Sequence, residues 1–321
     1  MKIEAVAQLA GRIQENIEQV IVGKPEVIQK TVLCLLCEGH ILLEDIPGMG
    51  KTTLAKALAR SVDCAFGRIQ FTPDLLPGDL TGINFYNQKT GEFVFKRGAV
   101  FTGILLADEV NRATPRTQSS LLECMEERQV TVDGVCYPLE RPFLVIATQN
   151  PVETQGTFPL PEAQLDRFFM RLSVGYPEET AEEAMLERFL IRSPLQSLSP
   201  VVSREELLEA QEAVRQVCVS SAVRQYIVEL ARLTRSHEKI RLGVSPRGSL
   251  ALLHAAQGCA AIHGRDYVIP DDVKEILPDV FCHRLITRSR GYSQNAETPR
   301  ELLRQLMVQA PVPTEEGIER S

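Results

Sequence analysis

The run Gly48-Met49-Gly50-Lys51-Thr52 follows the apolar residues Ile41-Leu42-Leu43 and precedes Leu54-Ala55-Lys56-Ala57-Leu58-Ala59. A short buried strand, a glycine-rich turn and a helix in that order aim backbone N–H groups and the positive end of a helix dipole into one concavity. Phosphate is the chemistry that fits. Lys51 would reach the β- and γ-phosphates, Thr52 would offer its hydroxyl to Mg²⁺, and Pro47, Met49 and Thr53 complete the loop. In the pattern G-x-x-x-x-G-K-[ST], the first position falls on Asp45 instead of glycine. A match this short also arises at an ordinary strand-to-helix turn, so other residues must decide.

Five further residues supply the other parts of a nucleotide site. The apolar run Ile104-Leu105-Leu106-Ala107 ends in Asp108-Glu109. At that end of an α/β strand, Asp108 can hold Mg²⁺ and Glu109 can polarise a water for attack on a γ-phosphate. The buried run Leu144–Thr148 ends in Gln149-Asn150-Pro151, which sets Asn150 beside Glu109 to hydrogen-bond that water. Arg167, in Leu165-Asp166-Arg167-Phe168, precedes another strand at the far edge of the subunit. There a guanidinium could serve a neighbouring subunit's phosphates, or simply pair with Asp166. Ser245-Pro246-Arg247 opens a helix with Ser245 as N-cap. Arg247 therefore lies in a first turn, where the dipole disfavours a cation; the physical remedy is an anion, with the γ-phosphate the obvious one.

Alternating strands and helices must position these groups. Strands are expected at Ile41–Leu43, Ile69–Phe71, Ile104–Ala107, Phe143–Thr148 and Phe169–Ser173, with helices at Lys24–Glu38, Thr52–Ser61, Pro115–Glu127 and Pro161–Leu165. That rhythm predicts an α/β unit with a parallel sheet. Two hairpins interrupt it. One is Ile83–Asn87 with Glu92–Lys96, one face carrying Ile83, Phe85, Phe93 and Phe95; the other is Gln129–Thr131 with Val135–Tyr137 around Asp133-Gly134. After Tyr176-Pro177 the strands are expected to stop. Helical periodicity takes over at Glu178–Ile191, Arg204–Val217, Ala222–Ser236, Pro246–His263, Asp271–Leu277 and Arg300–Val308. Pro177, Pro246, Pro270 and Pro299 are placed at first-turn positions. The expected division is 1–176 for the nucleotide-binding unit and 177–310 for a helical unit, with 311–321 an unstructured tail.

Composition narrows the function classes. A hydrophobic content of 44% with 24% charged residues fits a globular chain. No apolar run reaches the length of a membrane span, and Met1-Lys2-Ile3-Glu4 lacks a signal-peptide core, so a cytoplasmic protein is expected. The net charge of −7 argues against general affinity for nucleic acid. Cys34 and Cys37 form a C-x-x-C, but no second pair exists and the surrounding residues are the apolar end of a helix, so both read as core thiols. The five histidines show no ligand spacing, and no transition metal is expected.

Together these residues resemble the AAA+ ATPases, and specifically the MoxR family, over nearly the whole chain. The resemblance rests on Ile21-Val22-Gly23-Lys24, Leu42–Thr52, Phe71–Gly82, Leu106–Ala113, Thr117–Glu123, Met125–Thr131, Ala147–Pro151, Leu165–Phe168 and Ser245–Arg247. It implies a five-stranded parallel αβα domain followed by an all-helical lid, with ATP or ADP and Mg²⁺ held between them. It also implies assembly into rings, usually hexamers. By the same resemblance Lys51 and Thr52 belong to Walker A, Asp108 and Glu109 to Walker B, and Asn150 to sensor 1. Arg167 matches the arginine finger, Arg247 matches sensor 2, and Ile21, Val22 and Gly23 match the segment that packs on adenine. The first hairpin corresponds to the helix-2 insert and the second to the pre-sensor hairpin. Asp45 departs from the family's phosphate loop and is expected at its rim.

The resemblance implies a chaperone-like remodeller of a protein client, often partnered by von Willebrand factor A domain proteins. Two other classes share the architecture: a DNA-translocating motor, and a scaffold that binds ATP without turnover. The acidic charge speaks against the first; Glu109, Asn150 and Arg167 speak against the second.

Overall fold

The computed structural model describes residues 1–151, 156–190, 194–288 and 297–313. It opens with two helices, α1 (Ile3–Glu18) and α2 (Pro25–Leu36), followed by β1 (Ile41–Glu44), α3 (Lys51–Ser61) and β2 (Phe66–Gln70). A short α4 (Pro77–Thr81) leads into the hairpin β3 (Gly82–Asn87) and β4 (Glu92–Arg97). Next come β5 (Ile104–Asp108), α5 (Pro115–Glu127), the second hairpin β6 (Gln129–Val132) and β7 (Val135–Pro138), and β8 (Leu144–Gln149). One turn of helix, α6 (Glu162–Leu165), precedes β9 (Met170–Leu172).

The expected five-stranded parallel sheet is present, in the order β2-β5-β8-β1-β9. Its central strands are buried on both faces, which is why they read as unbroken apolar runs. Ile41, Leu43, Ile104, Leu106, Leu144 and Ile146 join one apolar cluster, while Leu42, Leu105, Ala107, Val145 and Ala147 join the other with α5. At the core of the sheet, His40 accepts a hydrogen bond from Val145 N at Nδ1, 3.0 Å, so its Nε2–H is the donor to Met125 O, also 3.0 Å. Burial lowers this imidazole to about 4, so it is neutral.

Beyond β9 lie α7 (Glu179–Phe189), α8 (Arg204–Val214), α9 (Ser221–Ser236), β10 (Ile240–Leu242), α10 (Pro246–Ile262), α11 (Pro270–Phe281), β11 (Ile286–Thr287) and α12 (Pro299–Gln309). The larger apolar cluster runs without a break from one face of the sheet through α1, α2 and α3 into α8 to α12. Among the described residues no helix is long and apolar enough to cross a membrane.

Several expectations are corrected. Strand β2 spans Phe66–Gln70, not Ile69–Phe71, because an edge strand with Arg68 and Gln70 alternating outward has no apolar run to mark it. Helix α1 was not expected, although Val6, Leu9, Ala10, Ile13 and Ile17 form its buried stripe. Strands do not stop at Pro177: β10 pairs antiparallel with β11. Pro177 precedes the N-cap of α7 and is not in its first turn. Helix α11 continues through Pro278 to Phe281. In the first hairpin the register pairs Phe85 with Val94 and Tyr86 with Phe93, so Ile83 and Phe85 lie on one face and Phe93 and Phe95 on the other. Ile191 and most of the expected tail, 314–321, lie outside the described residues.

The two hairpins touch each other. Phe95 stacks on Tyr137 with ring centroids 4.0 Å apart, and Asn84 Nδ2 donates to Asp133 Oδ2 at 2.7 Å.

Candidate functional site

Strands β1, β5 and β8 deliver their carboxyl ends to one cleft of about 420 Å³, lined by Pro47–Thr53, Arg68, Gln70, Asp108, Glu109 and Asn150. Gly48 and Gly50 adopt φ of 89° and 78°, and a Cβ on either would stand in open space. Glycine is required here by backbone conformation, and the space in front of it is the cleft. Gly50 is also the N-cap of α3 and has no side chain to satisfy that helix's first amides. Those N–H groups are left for an anion, which is the fit a polyphosphate needs.

Lys51 Nζ donates to the carbonyl of Asp45 at 2.8 Å. Asp45 itself is not at the rim: it is 7% exposed. Its carboxylate accepts from Ser173 Oγ at 2.8 Å, Val174 N at 2.6 Å and Gly175 N at 3.2 Å. The rim expectation fails because a carboxylate, unlike glycine, can gather donors from the chain leaving β9.

Asp108 Oδ1 accepts from Thr148 Oγ1 at 2.6 Å and Oδ2 from Arg68 at 2.8 Å. Thr148 Oγ1 accepts in turn from Glu109 N at 2.8 Å. Glu109 sits in the left-handed region, φ 56° and ψ 52°. A non-glycine residue held there carries a backbone cost, as Glu38, Asp63, Arg128 and Asp133 also do at turns and helix ends in this chain. Its carboxylate accepts from Gln70 Nε2 at 2.9 Å and pairs with Arg112 Nε at 3.0 Å. Asn150 is buried at the end of β8 and lines the same cleft. A carboxylate and a hydroxyl, Asp108 and Thr52, are hard oxygen donors of the type Mg²⁺ prefers.

The remaining expected residues lie apart from this cleft's lining. Ile21, Val22 and Gly23 join α1 to α2. A Cβ on Gly23, φ 72°, would stand 2.4 Å from Ala181 Cβ, so α7 packs directly over the segment. Arg167 and Arg247 come together on Glu126 of α5: Arg167 Nε lies 3.1 Å from Oε2, and Arg247 pairs with Oε1. The anion beside Arg247 in this structure is therefore Glu126. Asp166 does not pair with Arg167; it accepts from Ser245 Oγ at 2.7 Å and from Arg284 Nε at 2.6 Å.

Sequence reasoning missed Arg68, Gln70, Arg112, Glu126 and Thr148. For Arg68 and Gln70 the signal is their alternation on β2, which begins at Phe66, three residues before the expected strand. The C-x-x-C is structural. Cys34 is buried in α2, and the Cys37 thiol, pushed up to about 12 chiefly by burial, donates to His254 O at 3.3 Å. One grouping does bring a histidine to potential ligands: Cys259, His263 and Glu275 place their donor atoms within 4.8 Å of one another. Cys259 and His263 are four residues apart, one helical turn, at odds with the expectation that no histidine has a ligand spacing. Arg265, bound to Asp272, brings its guanidinium within 3.5 Å of His263 Nδ1, so the chain supplies a cation of its own there.

Residues 40–170 match the model of the ATPase family associated with various cellular activities (AAA), and residues 232–306 match the AAA lid domain. The uncharacterized protein YeaC of Bacillus subtilis is 45% identical over 99% of both chains. Chaperone MoxR1 of Mycobacterium tuberculosis is 42% identical over 84% of this chain and 74% of its own length. A solved structure of a "putative ATPase" from Cytophaga hutchinsonii superposes with a TM-score of 0.90, at 37% identity and covering 97% of this chain and 96% of that one. With these likenesses added to the sheet, the phosphate loop and the helical region, the chain belongs to the MoxR family of AAA+ ATPases.

Proposed function

We propose that this chain is a Mg²⁺-dependent ATPase that works as a ring, most simply a hexamer, and uses hydrolysis to remodel a protein client. The carrying observation is the split of its functional groups. Loop, carboxylates and Asn150 line one cleft, whereas Arg167 and Arg247 stand together on Glu126.

In this reading Lys51 leaves the Asp45 carbonyl for the phosphates, and the amides of Gly48–Thr53 hold their oxygens. Asn150 and Glu109 orient a water. As the water oxygen bonds to the γ-phosphorus, the bond from that phosphorus to the β–γ bridging oxygen breaks and Glu109 accepts the proton. Thr52 and Asp108 would hold Mg²⁺, which offsets charge on the phosphate oxygens. Glu109 must first leave Gln70 and Arg112, and Arg68 must yield Asp108, so the present arrangement is a resting one. Arg167 and Arg247 would reach a neighbouring subunit's nucleotide once Glu126 releases them. Residues 1–176 form the nucleotide unit and 177–310 the lid, with Ile21–Gly23 against adenine.

A client role is supported by the relative named chaperone MoxR1 and by the hairpins. Phe93 is 74% exposed and Tyr86 55%, more than packing between sub-elements needs. A von Willebrand factor A domain protein is the partner the family resemblance suggests, in the cytoplasm. The test is ATP turnover by the wild-type chain with and without Mg²⁺, alongside its mass in solution with and without nucleotide. Binding without turnover in the assembled state would leave a scaffold instead.

A further inference from the structure

Asp45 makes contacts with three separate parts of the molecule. Its carbonyl accepts from Lys51, the lysine that would meet phosphate. Its amide donates to Gln149 O at 3.3 Å, one residue before Asn150. Its buried carboxylate gathers Ser173 Oγ, Val174 N and Gly175 N, three donors in the segment that leaves β9 for α7. Gly175, at φ 64°, adopts the left-handed turn that lets consecutive amides point at one acceptor. The next residue continues the chain of contacts: Tyr176 O accepts from Lys24 Nζ at 2.6 Å, beside the Gly23–Ala181 approach.

We infer that Asp45 is a positioning residue that couples phosphate occupancy of the loop to the 173–175 segment and, through it, to α7. The inference rests on the nucleotide-site reading above. A phosphate competes with the Asp45 carbonyl for the Lys51 ammonium, so occupancy changes the hydrogen bonding of the residue whose side chain fixes the exit of β9. Glycine, the usual occupant of this position, could offer the same carbonyl but no carboxylate. The departure from the phosphate-loop pattern therefore adds a connection and leaves the binding loop, Gly48 to Thr52, as it was. Charge-assisted hydrogen bonds to two backbone amides and a hydroxyl are strong enough to hold a linker that would otherwise be free to rotate.

The experiment compares wild type with Asp45→Asn, Asp45→Gly and Ser173→Ala. Three quantities are read: affinity for MgADP, kcat and KM for ATP, and amide hydrogen exchange of the 170–180 peptide with and without MgADP. The expected result for both Asp45 variants is MgADP affinity within about threefold of wild type and kcat lower by about tenfold or more. Exchange at 170–180 should be faster and no longer respond to nucleotide. Ser173→Ala removes one donor without altering the loop, and should shift exchange and kcat in the same direction by a smaller factor. It decides the matter if the Asp45 variants do not fold. Loss of MgADP affinity in parallel with kcat would overturn the inference by making Asp45 part of the binding loop. Wild-type kcat and exchange in all variants would overturn it by making the contacts passive. A wild-type chain that neither binds nor hydrolyses ATP would instead remove the underlying nucleotide reading.

Discussion

Gln70 Nε2 donates a hydrogen bond to Glu109 Oε2 at 2.9 Å, tying the edge strand β2 to the carboxylate that would activate water. The same oxygen lies 3.0 Å from Arg112 Nε. A carboxylate with both partners in place is poorly placed to take a proton, so its release is a step in its own right.

Glu109→Gln is expected to lower ATP turnover by about 10²–10⁴-fold with nucleotide binding retained. Gln70→Ala leaves Arg112 as the partner of that oxygen and is expected to raise basal turnover a few-fold at unchanged KM. Steady-state kinetics of both variants check this. A loss in Gln70→Ala as deep as that in Glu109→Gln would mean that Gln70 positions the carboxylate for catalysis.

Because Glu126 holds both arginines, Arg167→Ala and Arg247→Ala should behave alike. Each alone is expected to lose most turnover, the scale set by an arginine finger being about 10³-fold or more. Mixing either with Glu109→Gln should restore activity, since one subunit would supply the carboxylate and its neighbour the guanidinium. If Arg247→Ala is not rescued while Arg167→Ala is, Arg247 works within its own subunit.

His40 is neutral in the folded chain, lowered to about 4 from an ordinary value near 6.5, with burial the main cause. Burial likewise pushes His283 well below its ordinary value. Between those limits the unfolded chain binds the proton and the folded chain does not, so stability falls as pH falls below 6.5. The slope approaches about 1.4 kcal/mol per pH unit for each histidine, and for His40 it sums to about 3 kcal/mol by pH 4. Urea midpoints at pH 7 and 5.5, above the main carboxylate range, measure it. Equal midpoints would contradict a neutral, buried pair.

Glu38 has a side chain only 5% exposed and receives three guanidinium groups, from Arg128, Arg141 and Arg215. These come from the end of α5, the entry to β8 and the end of α8, so one carboxylate fastens the sheet unit to the helical region. Glu38→Ala is expected to cost about 2–3 kcal/mol, below the full penalty for opening a buried pair because the arginines still reach water. Thermal or urea denaturation reads the loss directly.

How far the amino-acid sequence predicts this molecule depends on what each element buries. Strands β1, β5 and β8 are apolar on both sides and announce themselves; β2, with Arg68 and Gln70 turned outward, does not. The same contrast governs the site. Lys51, Asp108, Glu109 and Asn150 follow strand ends whose positions the apolar runs mark, and the cleft brings them together. Gln70, Thr148 and Glu126 meet their partners only through folding, across 39 residues in the bond from Gln70 to Glu109. Asp45 was visible as an oddity, but its meaning lay in Ser173–Gly175, more than a hundred residues away. The hairpin faces differ from the expected ones because register, set by the turn, decides which aromatic residues share a side.

The unbroken apolar cluster that joins one sheet face to α1, α2, α3 and the later helices has a practical consequence. Residues at the front of the chain, such as Leu9 and Ile13, are sealed by residues near its back, such as Leu252 and Ile276. A chain cut at Tyr176 would leave a wide greasy wound on both fragments, and neither should stay in solution alone. Calorimetry of the intact protein should accordingly show one melting event, with the front and back halves lost together.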